Sequence, residues 1–237
     1  MSLKKTIKLK TILTALLVSL LSILLLKIIA QVPLTSQALG ITLLDLNQDL
    51  THSANAVTSV VTYFRGLDTL GEVTILFLSI FGVGIGIDRS TQMKTILHYD
   101  NTLLKMGAQV LFPIIILFGI YIIIHGHLSP GGGFQGGVVI ASAFLMKFLA
   151  YGDAYELDHR ILSLFEALSG VGFVVLGILG LLAGGLFLGN VLPLGTLGTL
   201  LSGGIIPLLY LFVGLKVAAE ITVLVEYFLR TQDARDA

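Results

Sequence analysis

Lys216 and Glu220 stand four residues apart in VGLKVAAEI, a spacing that puts both side chains on one face of a helix. Glu166 sits alone in another apolar stretch, about one and a half turns from its start. A third group, FRGLDTLGE, holds Arg65, Asp68 and Glu72. If that segment is helical from Gly66, Asp68 and Glu72 stack at i and i+4. Carboxylates beside a cationic side chain suit proton exchange or cation capture, because each charge shifts its neighbour's pKa. Each group also has a purely structural reading. Lys216 and Glu220 make an internal ion pair that partly neutralises both. Arg65, Asp68 and Glu72 make an interfacial charge network tying a helix end to the segment before it.

The surroundings decide what such groups mean. Of 237 residues, 55% are apolar and 12% charged, against roughly 25% charged in a soluble domain. There is no cysteine, which excludes disulfide scaffolds, thiol catalysis, and Cys-ligated zinc or iron–sulfur clusters. A formal charge of zero leaves no electrostatic footprint for nucleic acid. The composition is that of an integral membrane protein, with membrane lipid as its solvent. A charge at the bilayer centre costs about 2.5–3.5 kcal/mol, so each one is a functional candidate. A buried pair at that depth, where apolar residues cost less, is poorly explained by stability alone.

Six stretches are long and apolar enough to span: roughly Leu9–Ala30, Leu70–Ile87, Met106–Ile124, Phe134–Ala150, Ile161–Gly185 and Gly203–Phe228. Runs such as PIIILFGIYIII do not alternate with period two, so the spans are helices rather than barrel strands. The fold class is therefore an all-α integral membrane protein with about six transmembrane helices. With the N-terminus inside, eleven of the fourteen basic residues face the cytoplasm (Lys4, Lys5, Lys8, Lys10, Arg89, Lys94, Lys105, Lys147, Arg160, Arg230 and Arg235). Both termini are then cytoplasmic. The first span reads as uncleaved, since its apolar run is long for a signal peptide and Ile28-Ile29-Ala30 is a poor cleavage site. Lys216 falls near the middle of the last span. Lys27 and Lys147 lie near span ends, where their stems reach the headgroups, and Glu226 is likewise close to the cytoplasmic face.

Three segments organise the chain: a two-span module over 1–87, a charged cytoplasmic linker over 88–105 and a four-span domain over 106–237. In the outer part of the first module, Val57, Val60, Val61 and Phe64 recur at helical spacing, which predicts a short amphipathic helix lying on the membrane or on a partner. Between two spans of the second, Pro130-Gly131-Gly132-Gly133-Phe134-Gln135-Gly136-Gly137 contains a literal G-x-G-x-x-G. That pattern binds dinucleotides only between a strand and a helix; here it is a tight outer turn leading into a helix with a small-residue face. His125 and His127 flank the turn. Two histidines make a poor metal site, so they read as interfacial side chains with proton exchange open to them. Gly170, Gly177 and Gly184 recur every seven residues in span five and mark a face for close helix contact.

His127-Leu128-Ser129-Pro130 running into GGGFQGG, with the helix to Tyr151-Gly152, resembles the signature of the MnhB/MrpB family, subunits of Mrp-type multisubunit Na+/H+ antiporters. Asn55-Ala56-Val57-Thr58 through FRGLDTLGE resembles a segment at the C-terminus of the large Mrp subunit, which is a separate small subunit in membrane-bound hydrogenases. The resemblance implies a multi-pass, non-enzymatic subunit of the prokaryotic cell membrane, with other membrane subunits as partners and Na+ and H+ as transported ions. It carries Asp68 and Glu72 onto acidic positions lining the sodium side, and it implies no cofactor or metal held by this chain. Lys216 in VGLKV looks closer to the hydrogenase-type relatives. The expected ion path is then Asp68, Glu72, Glu166, Lys216 and Glu220, with Arg65, His125, His127 and Lys147 as secondary candidates. Two alternatives stand beside an Mrp-type antiporter: the same sodium module in a redox-driven complex, and an assembly scaffold that conducts nothing.

Overall fold

A computed structural model describes residues 37–86 and 101–232 and most positions between 15 and 30. The chain divides into two units, residues 1–43 and 44–237. In the first, the described positions between 15 and 30 are helical and mostly apolar, with Leu16, Leu20 and Ile23 exposed. Much of the span expected at Leu9–Ala30 lies outside the described residues, as do Lys4, Lys5, Lys8, Lys10, Arg89, Lys94, Arg235 and most of the linker.

The described helices are α1 (Gln37–Thr51), α2 (Ala56–Ser59) running into a π-turn (Val60–Phe64), α3 (Gly66–Gly86), α4 (Thr102–Ile124), α5 (Gly133–Tyr151), α6 (His159–Gly184) and α7 (Ile206–Gln232). Five of them are long and apolar enough to cross a membrane, and no described residue is in a strand. Local chemistry sets the ends. Asn101 caps α4 by accepting from the Leu103 and Leu104 amides at 3.0 and 3.3 Å. The same cap starts the helix at Thr102, four residues before the apolar run begins. Asp158 caps α6 through the Arg160 amide at 2.9 Å, and Gly185 ends it in the left-handed conformation. Pro113 lies inside α4, which continues through it.

The last helix is the hub: α7 packs on α3, α4, α5 and α6. Glycines set the closeness of the α5–α7 contact and of the α4–α5 contact. A Cβ at Gly133 or Gly137 would meet the backbone of α7 at Tyr210 or Gly214 at 2.7–2.8 Å, and one at Gly119 would meet the Gly136 carbonyl at 3.0 Å. Val73, Phe173, Leu188, Ile205, Leu209, Val213 and Val217 fill one core, and Ile123, Ile140, Tyr210 and Ala218 a second.

The expected seven-residue seam on α6 is only partly a helix contact. Gly177 and Gly180 instead receive the non-helical segment after α6, with Phe187 against Gly177, and Gly189 against Gly180. The Leu188 amide donates to the Gly177 carbonyl at 3.3 Å, and Leu188 is fully buried. Irregular backbone is tolerated beside a span where protein covers it, as here. Gly184 faces open space, and Gly170 lies toward the Lys216 ammonium.

Candidate functional site

The central charge is Lys216, ten residues into α7 and so about 15 Å along it. Its Nζ lies 2.7 Å from Glu220 Oε1, one turn on, and 3.8 Å from Glu166 Oε1 on α6. A third contact is aromatic, with Nζ 4.8 Å from the centre of the Phe77 ring on α3. Glu220 is buried, with 1% of its side chain exposed, against 26% for Glu166. One cation therefore serves two carboxylates of unequal burial, and a single added proton or cation redistributes it between them.

Two cavities meet at this group. A smaller one of about 200 Å³ runs toward the start of α7 along Leu70, Val73, Thr74, Gly170 and Phe173, reaching Lys216 and Phe77. A larger one of about 650 Å³ runs toward the end of α7 along Phe77, Ile80, Gly84, Ser163, Glu166 and Glu220 to His159 and Tyr227. Phe77 lines both.

The structure brings Glu166, Lys216 and Glu220 together and leaves the other expected group apart. Arg65 clasps Asp68, with Nε donating at 2.6 Å, at the exposed start of α3. Glu72 is exposed on a different face of α3, in a groove with Phe134, Val138, Val217 and Ile221. The five residues thus form two separate sets in this chain.

Lys147 lies with its ammonium 5.0 Å from the Phe112 ring and 5.1 Å from the Tyr151 ring, a cation–π seat near the end of α5. His125 stacks on Tyr121 with centroids 4.1 Å apart, its Nδ1 3.1 Å from the Tyr121 carbonyl.

The Gly-rich turn is positioned by the segment expected to be amphipathic, which lays its polar side on the turn and keeps its apolar side outward. Val57 is 70% exposed, while Thr58, Ser59 and Thr62 are buried. The reason is the turn itself, whose carbonyls need donors. Asn55 Nδ2 donates to the Gly126 and Ser129 carbonyls at 2.9 and 3.0 Å, Thr58 donates to Gly126 at 2.6 Å, and Ser53 Oγ donates to the His127 carbonyl at 2.8 Å. Tyr210 on α7 donates to Thr58 Oγ1 at 3.0 Å. So α2 docks on this chain's own turn, and its apolar side faces outward. Gly132, at φ +140°, opens α5 where a Cβ would sit 3.0 Å from the Tyr210 ring; Pro130, Gly131, Gly133, Gln135, Gly136 and Gly137 complete the turn and first helical residues.

His127 is fully buried and neither ring nitrogen makes a hydrogen bond. Burial pushes its pKa below the ordinary value; nearby backbone groups of Thr199, Leu200 and Ile124 oppose the shift, and the neighbouring His125 adds to it.

One contact had no counterpart in the sequence reading. His159 Nε2 at the start of α6 lies 3.3 Å from Glu226 Oε2 on α7. The signal for it was a stripe on α6: His159, Ser163, Glu166 and Gly170 recur at i, i+4, i+7 and i+11.

Five long apolar helices around an embedded Lys–Glu–Glu group define a multi-pass membrane protein with an ionisable interior. More narrowly, the domain described as related to the MnhB subunit of Na+/H+ antiporter matches residues 103–223, and the chain belongs to that family. An uncharacterised protein of Methanocaldococcus jannaschii is 32% identical over 194 residues, covering 71% of this chain and 74% of that one. A protein named as an antiporter subunit in Staphylococcus saprophyticus is 40% identical over 74 residues, 29% of this chain and 52% of its own. Among solved structures, a chain of the membrane-bound sulfane sulfur reductase, an archaeal respiratory membrane complex, is 41% identical. That match has a TM-score of 0.75 and covers 93% of this chain and 98% of that one. The Mrp complex of Dietzia shares the fold, at 23% identity and TM-score 0.66, over all of this chain and 27% of the matched chain.

Proposed function

We propose that this chain is a membrane subunit of a cation/proton antiport module and that its share of the ion path runs through Glu166, Lys216 and Glu220. The observation that carries this reading is Lys216 held between two carboxylates at mid-helix, with a cavity on either side. A proton or Na+ entering the larger cavity competes with the ammonium for Glu220 or Glu166, and Lys216 moves toward whichever carboxylate stays charged. The ammonium is then a tethered counter-ion that couples occupancy on one side of Phe77 to the field on the other. Asp68 and Glu72, at the exposed face and start of α3, serve the approach to partner subunits.

The assembly we favour is a redox-driven complex, because the chain of the respiratory complex is 41% identical over 93% of this chain, whereas the chain of the Mrp complex, matched over all of it, is 23% identical. In either assembly this subunit's part is transport, and redox chemistry belongs to its partners. The test is Na+/H+ exchange in vesicles holding the whole complex, with Glu220→Gln and Lys216→Met. Both variants are expected to co-purify with the other subunits and to lose exchange about tenfold or more, some 1.4 kcal/mol of barrier. Normal exchange in both makes the chain a scaffold.

A further inference from the structure

The larger cavity ends on a pair that the ion path above does not use. His159 is the first residue of α6 and lines the cavity mouth, with 55% of its side chain exposed. Its Nε2 sits 3.3 Å from Glu226 Oε2, whose side chain is only 4% exposed. Below it, Ser163 and Glu166 continue the same face of α6 into the cavity, and Glu220 closes it from α7. From His159 to Glu166 is seven residues, about 10 Å along the helix, too far for direct transfer and bridgeable by a short file of water.

We propose that His159, held by Glu226, is the proton-exchange port of this cavity. The proposal rests on the ion path drawn above and adds its entrance. The imidazole takes a proton from bulk water. The Glu226 carboxylate holds the imidazolium in place. Nε2 or Nδ1 then gives the proton to cavity water, which passes it to Glu166 or Glu220, and the ring returns to neutral. Protons leaving follow the reverse steps. A histidine suits the position, since its two ring nitrogens let one side chain both accept and donate a proton. Among the described residues, Glu226 and Tyr227 face it from α7, α3 brings Gly84 and Ile85 to the same mouth, and Asp158 and Arg160 flank it in sequence. An exposed side chain at a helix start also tolerates replacement, which makes the port testable.

The experiment is His159→Gln in the whole complex, with transport read as Na+ uptake in dilute and in concentrated imidazole, supplied equally on both sides. Uptake is expected to fall several-fold in dilute buffer and to recover in concentrated imidazole, while the parent responds to neither. Parent-like uptake in dilute buffer overturns the port. So does a loss that imidazole leaves unrestored, which is what a positional role gives. Glu226→Gln should lower uptake with only partial recovery, because the added imidazole gains no carboxylate to hold it. Glu220→Gln separates the two readings. If it abolishes uptake while His159→Gln does not, only the port fails; if it leaves uptake intact, the path itself fails.

Discussion

At Lys216 two carboxylates and one aromatic ring share a single ammonium. The Phe77 ring contributes about 2 kcal/mol of cation–π attraction in a desolvated site and lines both cavities. Phe77→Ala should join the cavities and uncouple the ions, seen as proton leak without Na+ exchange, whereas Phe77→Tyr should keep coupling. Gly170 sits where an added Cβ would be 3.9 Å from the ammonium and clear of backbone. Gly170→Leu should therefore fill the smaller cavity and stop exchange, with subunit assembly unchanged on co-purification. His127 has a lowered pKa, so between that value and 6.5 the unfolded chain binds more protons than the folded one. Stability is full above about pH 6.5 and declines as pH falls toward the lowered pKa. Melting temperature in detergent should drop over that window, and His127→Leu should flatten the drop.

The helices were the legible part, because a run of about twenty apolar residues leaves a chain in lipid few options. Five predicted spans match described helices to within a few residues, and the α4 start moved only because Asn101 caps it. Lys216 with Glu220 was readable for the same reason, being a contact within one turn. Glu166 joins them only through the packing of α6 on α7, which no local spacing encodes. Grouping Asp68 and Glu72 with the others fails on geometry: α3 turns Phe77 toward Lys216, and that rotation sends Glu72 to another groove. The short helix after Asn55 keeps its apolar side outward, where a membrane surface or a partner can cover it, while carbonyls of the Gly turn recruit its hydroxyl face, a contact that apolar spacing does not encode. Asn55→Ala removes the side-chain donor to the Ser129 carbonyl and leaves Gly126 with Thr58 alone, and should cost about 1–3 kcal/mol. Thermal unfolding of the purified complex measures it. Gly133→Ala, pressed on the α7 backbone at 2.7 Å, should lower the same transition by a similar amount, about 1–3 kcal/mol for overpacking.

For the molecule as a whole, the outward surfaces of α3, α4 and α6 are almost entirely apolar, with Ile75, Val110, Leu117, Leu168 and Leu182 among the exposed side chains. Lipid or neighbouring subunits must cover them. Within residues 44–232 the polar joints are few and concentrated at one end, where Asn55, Ser53 and Thr58 grip the Gly turn, Asn190 donates to the Leu50 carbonyl at 2.9 Å, and His52 Nδ1 meets the Gly195 carbonyl at 2.7 Å. That grip makes the peptide between α3 and α4 redundant as a tether. Cutting the gene there and expressing its halves together should yield fragments that find each other and purify as one, so a genome is free to encode this subunit as one polypeptide or as two with each of these joints kept.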